Sequence, residues 1–238
     1  MNNRHGRCLL LVCTLLGLAG LPGCGDALLA VRPGWWPFGG DADFEYLNEQ
    51  GYLAPSQRVE QLDDLARSAK KKTPEEQDEI VSKLAQEIRG ELDPLIRRRM
   101  IHTLAEYDRP AAESVVVAAL QDPEPEVRIE ACHALGRRGG AEASRRLVET
   151  LGADTDKDVR LAALRELGDA GDIYAVSAVG KALEDSDPAL QHGAVVALEK
   201  LTNEDFGDDV NAWLAYVQGE HPEPRQPSLV ERIQRALF

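Results

Sequence analysis

Residues 122–136 read DPEPEVRIEACHALG, and residues 154–168 read DTDKDVRLAALRELG. The two segments share an opening acid, a Val-Arg pair, a central Ala and a closing Leu-Gly. The same register holds, less closely, in residues 91–105 and 185–199. Four copies spaced by 31, 32 and 31 residues form an internal repeat, which is the strongest fold signal in the chain.

Each copy has the apolar spacing of two helices. Counting from the Val of the Val-Arg pair, apolar residues recur at offsets 0, 4, 5 and 8, which lie on one face of an α-helix. A second apolar stripe follows at offsets 20 and 24, and turn residues stand between the two stripes at offset 12. The turn positions are Asp108, Gly139, Gly171 and Thr202. The sequence therefore predicts a helical hairpin in every repeat.

An acid three residues before the first apolar position marks the start of each hairpin. It is followed by proline in three of the four copies, as expected for an N-cap residue and the first position of a helix. The four acids are Asp93, Glu124, Asp156 and Asp187. Since two helices of about ten residues cannot bury their apolar faces alone, neighbouring hairpins must stack. We predict an all-α fold, an α-α superhelix of four to five hairpins.

Two further segments extend this array. Residues 56–90 form a predicted N-terminal capping hairpin, in which Thr73 and Glu76 make a capping box. Residues 218–238 combine a proline-rich segment with an amphipathic helix opened by Ser228 and Glu231. That helix either lies on an anionic membrane or closes the open end of the solenoid, and the apolar surface of a terminal repeat favours closure.

The repeat resembles the HEAT repeat, specifically the short version first described in phycobilisome bilin lyases. The resemblance covers residues 91–217 and implies a solenoid fold without specifying a function. It also implies an Asp/Arg ladder between adjacent repeats, because planar guanidinium groups pair with carboxylates through two hydrogen bonds. The ladder residues would be Arg97, Arg128 and Arg160 with Asp122, Asp154 and Asp185.

The first 23 residues have the features of a secretory signal peptide. Arg4 and Arg7 precede an uncharged, mostly apolar run over residues 8–21, which is too short to span a bilayer. The run ends in Leu-Pro-Gly-Cys24, which resembles the processing site of bacterial lipoproteins and implies a lipid anchor on Cys24. We expect a membrane-attached protein of the bacterial cell envelope, facing either the periplasm or the surface; the alternative is an ordinary cleaved signal.

Residues 24–55 read as a flexible linker, broken by prolines and paired glycines. Trp35 and Trp36 lie in this linker and either pack on the first helices or enter the lipid headgroup layer. Removal of the signal peptide takes the net charge from -14 to -16. Such an acidic chain is a poor nucleic-acid binder, because phosphate neutralisation needs clustered Lys and Arg.

Residues with catalytic potential are few. His102 and His133 share one register about 10 Å apart, which is too far for a common metal ion. Cys132 lies on a buried stripe and reads as a core thiol. The chain contains neither a phosphate-binding Gly-Lys-Ser/Thr loop nor a nucleophile elbow. We expect no cofactor, no metal, no small-molecule substrate and no catalysis.

These observations favour a scaffold or adaptor that binds an unidentified protein. Second helices of solenoids tend to line the concave surface used by partners, so their polar residues are the candidate contacts. The candidates are Glu113, Glu142, Arg145, Glu149, Lys181 and Asp209. The alternatives are a chromophore- or cofactor-handling enzyme subunit, by analogy with bilin lyases, and a purely structural spacer.

Overall fold

The computed structural model describes residues 53–225, which lie within one compact unit of the chain, residues 51–238. These residues form ten α-helices joined by short turns, and they include no β-strand. The helices are α1 (Pro55–Ser68), α2 (Pro74–Glu87), α3 (Pro94–Ala105), α4 (Pro110–Ala119), α5 (Pro125–Arg138), α6 (Gly140–Ala153), α7 (Lys157–Ala170), α8 (Val176–Lys181), α9 (Pro188–Thr202) and α10 (Val210–Val217). The predicted all-α solenoid is confirmed.

Helix starts follow the capping pattern in the sequence. Asp93, Asp156 and Asp187 each accept a backbone N–H in the first turn of the helix that they precede. The predicted capping box of Thr73 and Glu76 forms at the start of α2. Glu124 is the exception: its side chain caps nothing, and its own N–H is instead bound by Asp122. The side-chain cap predicted at Glu124 is therefore wrong.

The turns inside the second, third and fourth repeats each contain a residue with positive φ. Gly139 and Gly171 have φ of 68° and 67°, a conformation that glycine adopts without steric cost. In the fourth repeat Thr202 remains the last helical residue, and Asn203 takes the left-handed position at φ 58°. The turn predicted at Thr202 thus begins one residue later, because asparagine tolerates this backbone better than a β-branched residue.

The helices form two rows with the core between them. One row holds α1 and the first helices α3, α5, α7 and α9, each packed directly on the next. The second helices α4, α6, α8 and α10 cover the other side of the core, whose largest buried side chains include Leu104, Leu135, Leu147 and Leu167. The second helix of the third repeat is shorter than predicted: α8 is flanked by 3-10 turns at Ile173–Ala175 and Ala182–Glu184.

The N-terminal hairpin is tied to the array by hydrogen bonds, and the C-terminal end is ordered by contacts within itself. At the N-terminal end Thr103 and Tyr107 donate hydrogen bonds to the carbonyls of Leu62 and Leu65 in α1. At the other end Phe206 stacks edge-on against Trp213, with ring centroids 4.8 Å apart, and Trp213 donates its indole N–H to the carbonyl of Gly207. None of the helices in residues 53–225 has the length and apolar character needed to cross a membrane.

Several predictions fall outside the described residues. They are the signal peptide (1–23), the lipidated Cys24, the tryptophans Trp35 and Trp36 of the linker, and the amphipathic helix after Ser228. The last three residues of the linker predicted for 24–55 lie within the described chain, and the last of them, Pro55, is already the first residue of α1.

Candidate interaction surface

Arginines at one register bridge each repeat to the next. Arg97 donates its Nε and Nη2 hydrogens to the two carboxylate oxygens of Asp122, both at 2.8 Å. Arg128 binds Asp154 in the same way, at 2.7 and 2.9 Å. Arg160 reaches Asp185 through Nη2 at 2.7 Å. The six residues that the HEAT resemblance marks as a ladder therefore lie in contact, in three successive pairs.

The same side chains hold the loops between repeats. Arg128 also donates Nη1 to the carbonyl of Asp122 at 2.9 Å, and Asp154 accepts the N–H of Asp156. In the last copy Gln191 replaces the arginine and keeps only the backbone contact, to the carbonyl of Asp185. The first two rungs thus join two side chains and two loop backbones, whereas Arg160 donates its Nε to the carbonyl of Leu151 at the end of α6. These contacts fix the spacing of adjacent hairpins.

The ladder carboxylates are held in their charged form. Partial burial is the largest single influence on the pKa of Asp122 and of Asp154, and it acts to raise both. The hydrogen bonds from Arg97 and Arg128, the backbone N–H donors and the nearby positive charges outweigh that penalty, so both pKa values are lowered. The pKa values of Arg97 and Arg128 are raised, chiefly by the same hydrogen bonds.

Histidines form a second set of links between repeats. The Nδ1 of His102 lies 3.0 Å from Glu130 Oε1, and the Nδ1 of His133 lies 2.7 Å from Glu166 Oε1. The sequence did not reveal these pairs, because the two glutamates occupy different registers of their repeats. In residues 53–225 no group of three His, Cys, Asp or Glu side chains is arranged to hold a metal ion.

The candidate contact residues of α6 form one exposed charged cluster. Arg145 pairs with Glu142 and Glu149 at 2.6 and 3.3 Å, and Arg146 pairs with the same two glutamates at 2.9 and 3.1 Å. The pKa of Glu142 is lowered, mainly by its hydrogen bond from Arg145. All four side chains are exposed to solvent. Exposed ion pairs contribute little to the stability of the fold, so a partner can bind these charges at small cost to it.

The remaining candidates are dispersed. Glu113 lies 3.6 Å from Arg138, which also binds the carbonyl of Tyr107, so this pair joins two repeats. Lys181 is exposed at the end of α8. Asp209 accepts the N–H groups of Asn211 and Ala212, and its carboxylate is therefore the N-cap of α10. Of the six candidates, only those of α6 are brought together.

A cleft adjoins the α6 cluster. It lies between α4 and α6, has a volume of about 280 Å³ and is lined on its apolar side by Val117 and Leu120. Arg146 and Glu149 stand at its charged side. In protein interfaces, a small apolar pocket surrounded by charged groups commonly binds one large side chain of the partner.

Cys132 has no visible chemical role. Its side chain is fully buried in the core. Burial raises the pKa of the thiol to about 12, so almost none of it is thiolate at neutral pH.

Comparison with known proteins identifies the repeat. The family model described as HEAT repeats matches residues 81–162 and 144–216. A comparison with curated proteins found no match. Among solved structures, an engineered protein from the Northeast Structural Genomics Consortium is similar at 22% identity and a TM-score of 0.43, over 74% of this chain and 85% of that one. On the family match, which spans more than half of the sequence, the chain belongs to the HEAT-repeat family.

Proposed function

We propose that this protein is a lipid-anchored protein of the bacterial envelope whose HEAT-repeat solenoid binds another protein as a scaffold or adaptor. HEAT repeats generally mediate protein-protein interaction, and stacked hairpins offer a long surface for it. The observation that carries the proposal for this chain is the α6 cluster beside the apolar cleft between α4 and α6.

The rigid spacing of the hairpins supports a binding role. Bidentate pairs at two successive repeat interfaces, Arg97 to Asp122 and Arg128 to Asp154, fix the spacing of adjacent hairpins. A surface that is ordered before binding loses less conformational entropy when a partner docks. The charged rim around the cleft then supplies specificity, since mismatched charges oppose wrong partners.

Copurification tests the interaction. The full chain is extracted in mild detergent from its own host, and proteins recovered in stoichiometric amount are identified. We expect Arg145→Glu to reduce recovery of a genuine partner at least ~10-fold, the effect of losing about 1.4 kcal/mol of binding. Arg98→Glu makes the same change of charge on the exposed surface of α3 and serves as the matched control.

Three outcomes oppose the scaffold assignment. They are the absence of any stoichiometric partner, equal recovery by all variants, and loss of the partner with Arg98→Glu alone. Visible-light absorbance of the purified chain would instead favour the chromophore-handling alternative.

Fractionation with labelled palmitate tests the anchor separately. A Cys24→Ser variant loses the only thiol at the processing site, so we expect it to lose the label and leave the membrane fraction. Cys13→Ser, within the predicted signal peptide, leaves that site intact, so this variant should keep both the label and its place in the membrane fraction. A Cys24→Ser protein that remains labelled and membrane-bound contradicts the anchor.

A further inference from the structure

The most exposed leucines of residues 53–225 lie together at one turn. Leu92 is 90% exposed and Leu95 is 50% exposed, and they stand in and just after the turn that joins α2 to α3. The equivalent positions of the next three repeats hold mostly polar or small residues, namely Pro123, Thr155 and Ser186 for Leu92, and Glu126, Asp158 and Ala189 for Leu95. Those repeats stack without an exposed leucine pair, so the pair is not needed for stacking and marks a surface for contact.

An unpaired cation lies beside the two leucines. Arg89 is exposed in the same turn and makes no ion pair with any of residues 53–225. The two acids of the turn bind backbone: Glu91 accepts the N–H of Asp93, and Asp93 accepts the N–H of Leu95, both at 2.8 Å. The turn therefore presents apolar side chains next to a free guanidinium, a group that binds phosphate through its N–H donors.

The charge of the chain is unevenly distributed along the solenoid. Residues 53–109, up to the turn after α3, contain 11 Lys and Arg against 12 Asp and Glu, a net charge of -1. Residues 110–225 contain 11 Lys and Arg against 23 Asp and Glu, a net charge of -12. An anionic surface therefore repels the later repeats much more than the N-terminal end, where the leucine pair lies.

The chain enters α1 at the same edge of the solenoid as the leucine pair. Asp63 of α1 pairs with Arg99 of α3 at 2.7 Å, and further along both helices the carbonyl of Leu65 accepts the hydroxyl of Tyr107. Since the contact positions advance together, α1 and α3 run in the same direction. The first residue of α1, Pro55, thus lies at the edge where α3 begins, next to the leucine pair.

We propose that this edge docks on the phospholipid headgroup layer of the membrane that holds the chain, with Leu92 and Leu95 in the layer and Arg89 on lipid phosphate. The inference rests on the lipid anchor at Cys24 of the proposed function. Thirty residues separate Cys24 from Pro55, a contour of about 100 Å, so the anchor permits many orientations and the surface of the solenoid selects one.

Docking at this edge has a consequence for the rest of the solenoid. Because the anchor already keeps the surface near the bilayer, a weak contact is enough to hold it there. The solenoid then stands on its N-terminal end, and its acidic later repeats point away from the lipid. The α6 cluster stays clear of the membrane and open to a protein partner.

Quenching by labelled lipid tests the docking. A fluorophore on Gly90→Cys reports from the turn without changing either leucine, and Gly152→Cys places the same probe near the end of α6; a Cβ meets no close contact at either position. The lipidated full chain is reconstituted in vesicles of phosphatidylethanolamine and phosphatidylglycerol that include nitroxide-labelled headgroups. We expect fluorescence to fall at least ~2-fold at residue 90 and to stay unchanged at residue 152, since a docked surface enters the headgroup layer by about 5–10 Å.

Variants of the turn identify the residues that make the contact. In the Gly90→Cys chain, Leu92→Asp, Leu95→Asp and Arg89→Glu should each reduce the quenching, because an added carboxylate is repelled by lipid phosphate. Leu92 is almost fully exposed, so its replacement leaves the core intact. Ser186→Asp adds the same charge at the position equivalent to Leu92 in the fourth repeat and should leave the quenching unchanged.

Four results would overturn the proposal. Absence of quenching at residue 90 in a chain that carries the palmitate label contradicts the docking while the anchor stands. Equal quenching at residues 90 and 152 shows that no edge is preferred. Quenching that survives all three variants of the turn assigns the contact to other residues. A chain without the palmitate label overturns the anchor of the proposed function, and with it the docking that rests on that anchor.

Discussion

Arg128 and Asp154 form a two-bond ion pair between adjacent repeats, with N–O distances of 2.7 and 2.9 Å and 13% and 8% of the two side chains exposed. The pair is largely desolvated, and its remaining donor and acceptor positions are taken by loop backbone. Removing one member of the pair should destabilise the folded protein, because the other charge is then left buried without a partner.

Asp154→Ala should lower the unfolding free energy by about 2 kcal/mol. The loss is smaller than for a fully buried pair, because a small part of each side chain still reaches solvent. Urea unfolding followed by circular dichroism at neutral pH measures the change. Glu142→Ala removes a carboxylate from an exposed pair of the same type and should leave the midpoint in place. Equal losses in the two variants would show that the ladder is no stronger than a surface pair.

Acidification should weaken the ladder. Since the pKa values of Asp122 and Asp154 are lowered in the folded protein, the folded state favours their charged form, and the stabilisation is complete above the unfolded pKa of about 3.9. It is lost as the pH falls from there through the folded pKa values. The stability difference between the unaltered chain and Asp154→Asn should therefore be constant above about pH 5 and shrink below about pH 4. A difference that stays constant down to pH 2 would contradict this linkage.

Gly168 sets the approach of α7 to α9. A Cβ at this position would lie 2.9 Å from Ala197 Cα, a backbone atom that cannot move without separating the helices. Gly168→Ala should therefore cost about 2 kcal/mol despite the better helix propensity of alanine. Gly152, in α6, has open space around the same position, so Gly152→Ala should stabilise the protein by up to ~1 kcal/mol. Thermal unfolding compares the two, and a shift of the same sign in both would refute the packing argument.

The sequence was informative where the repeat kept its register. The four hairpins, three of four side-chain caps and the partners of Arg97, Arg128 and Arg160 all occupy equivalent positions in successive copies. Because the hairpins are similar and stack in a regular way, residues at the same offset occupy equivalent positions in successive repeats. The third repeat departs from this regularity, because its second helix is divided into α8 and two 3-10 turns although the apolar offsets are unchanged.

Contacts without a repeated register were not predictable. Glu130 and Glu166 stand at different offsets, yet each reaches a histidine of the preceding repeat. Asp209, a candidate partner contact, instead caps α10, because it stands just before the first residue of that helix. The cleft between α4 and α6 depends on how far neighbouring second helices diverge, a property of the stack that no single repeat encodes.

Tyr107 attaches the N-terminal hairpin, which lacks the Val-Arg signature and contributes no arginine to the ladder. The hydroxyl of Tyr107 donates a hydrogen bond to the carbonyl of Leu65 at 2.9 Å, and the Tyr107 side chain is fully buried. Tyr107→Phe keeps the ring and removes the donor, while Ser68 still binds the same carbonyl, so the cost should be about 1 kcal/mol. Because solenoids couple only nearest neighbours, hydrogen exchange should quicken in α1 and α2 and stay unchanged in α9. Tyr174→Phe, at a tyrosine that is 90% exposed, is the matched control. Faster exchange throughout the chain would mean that the hairpins unfold as one unit, and the N-terminal hairpin would then be an integral repeat and not a separable cap.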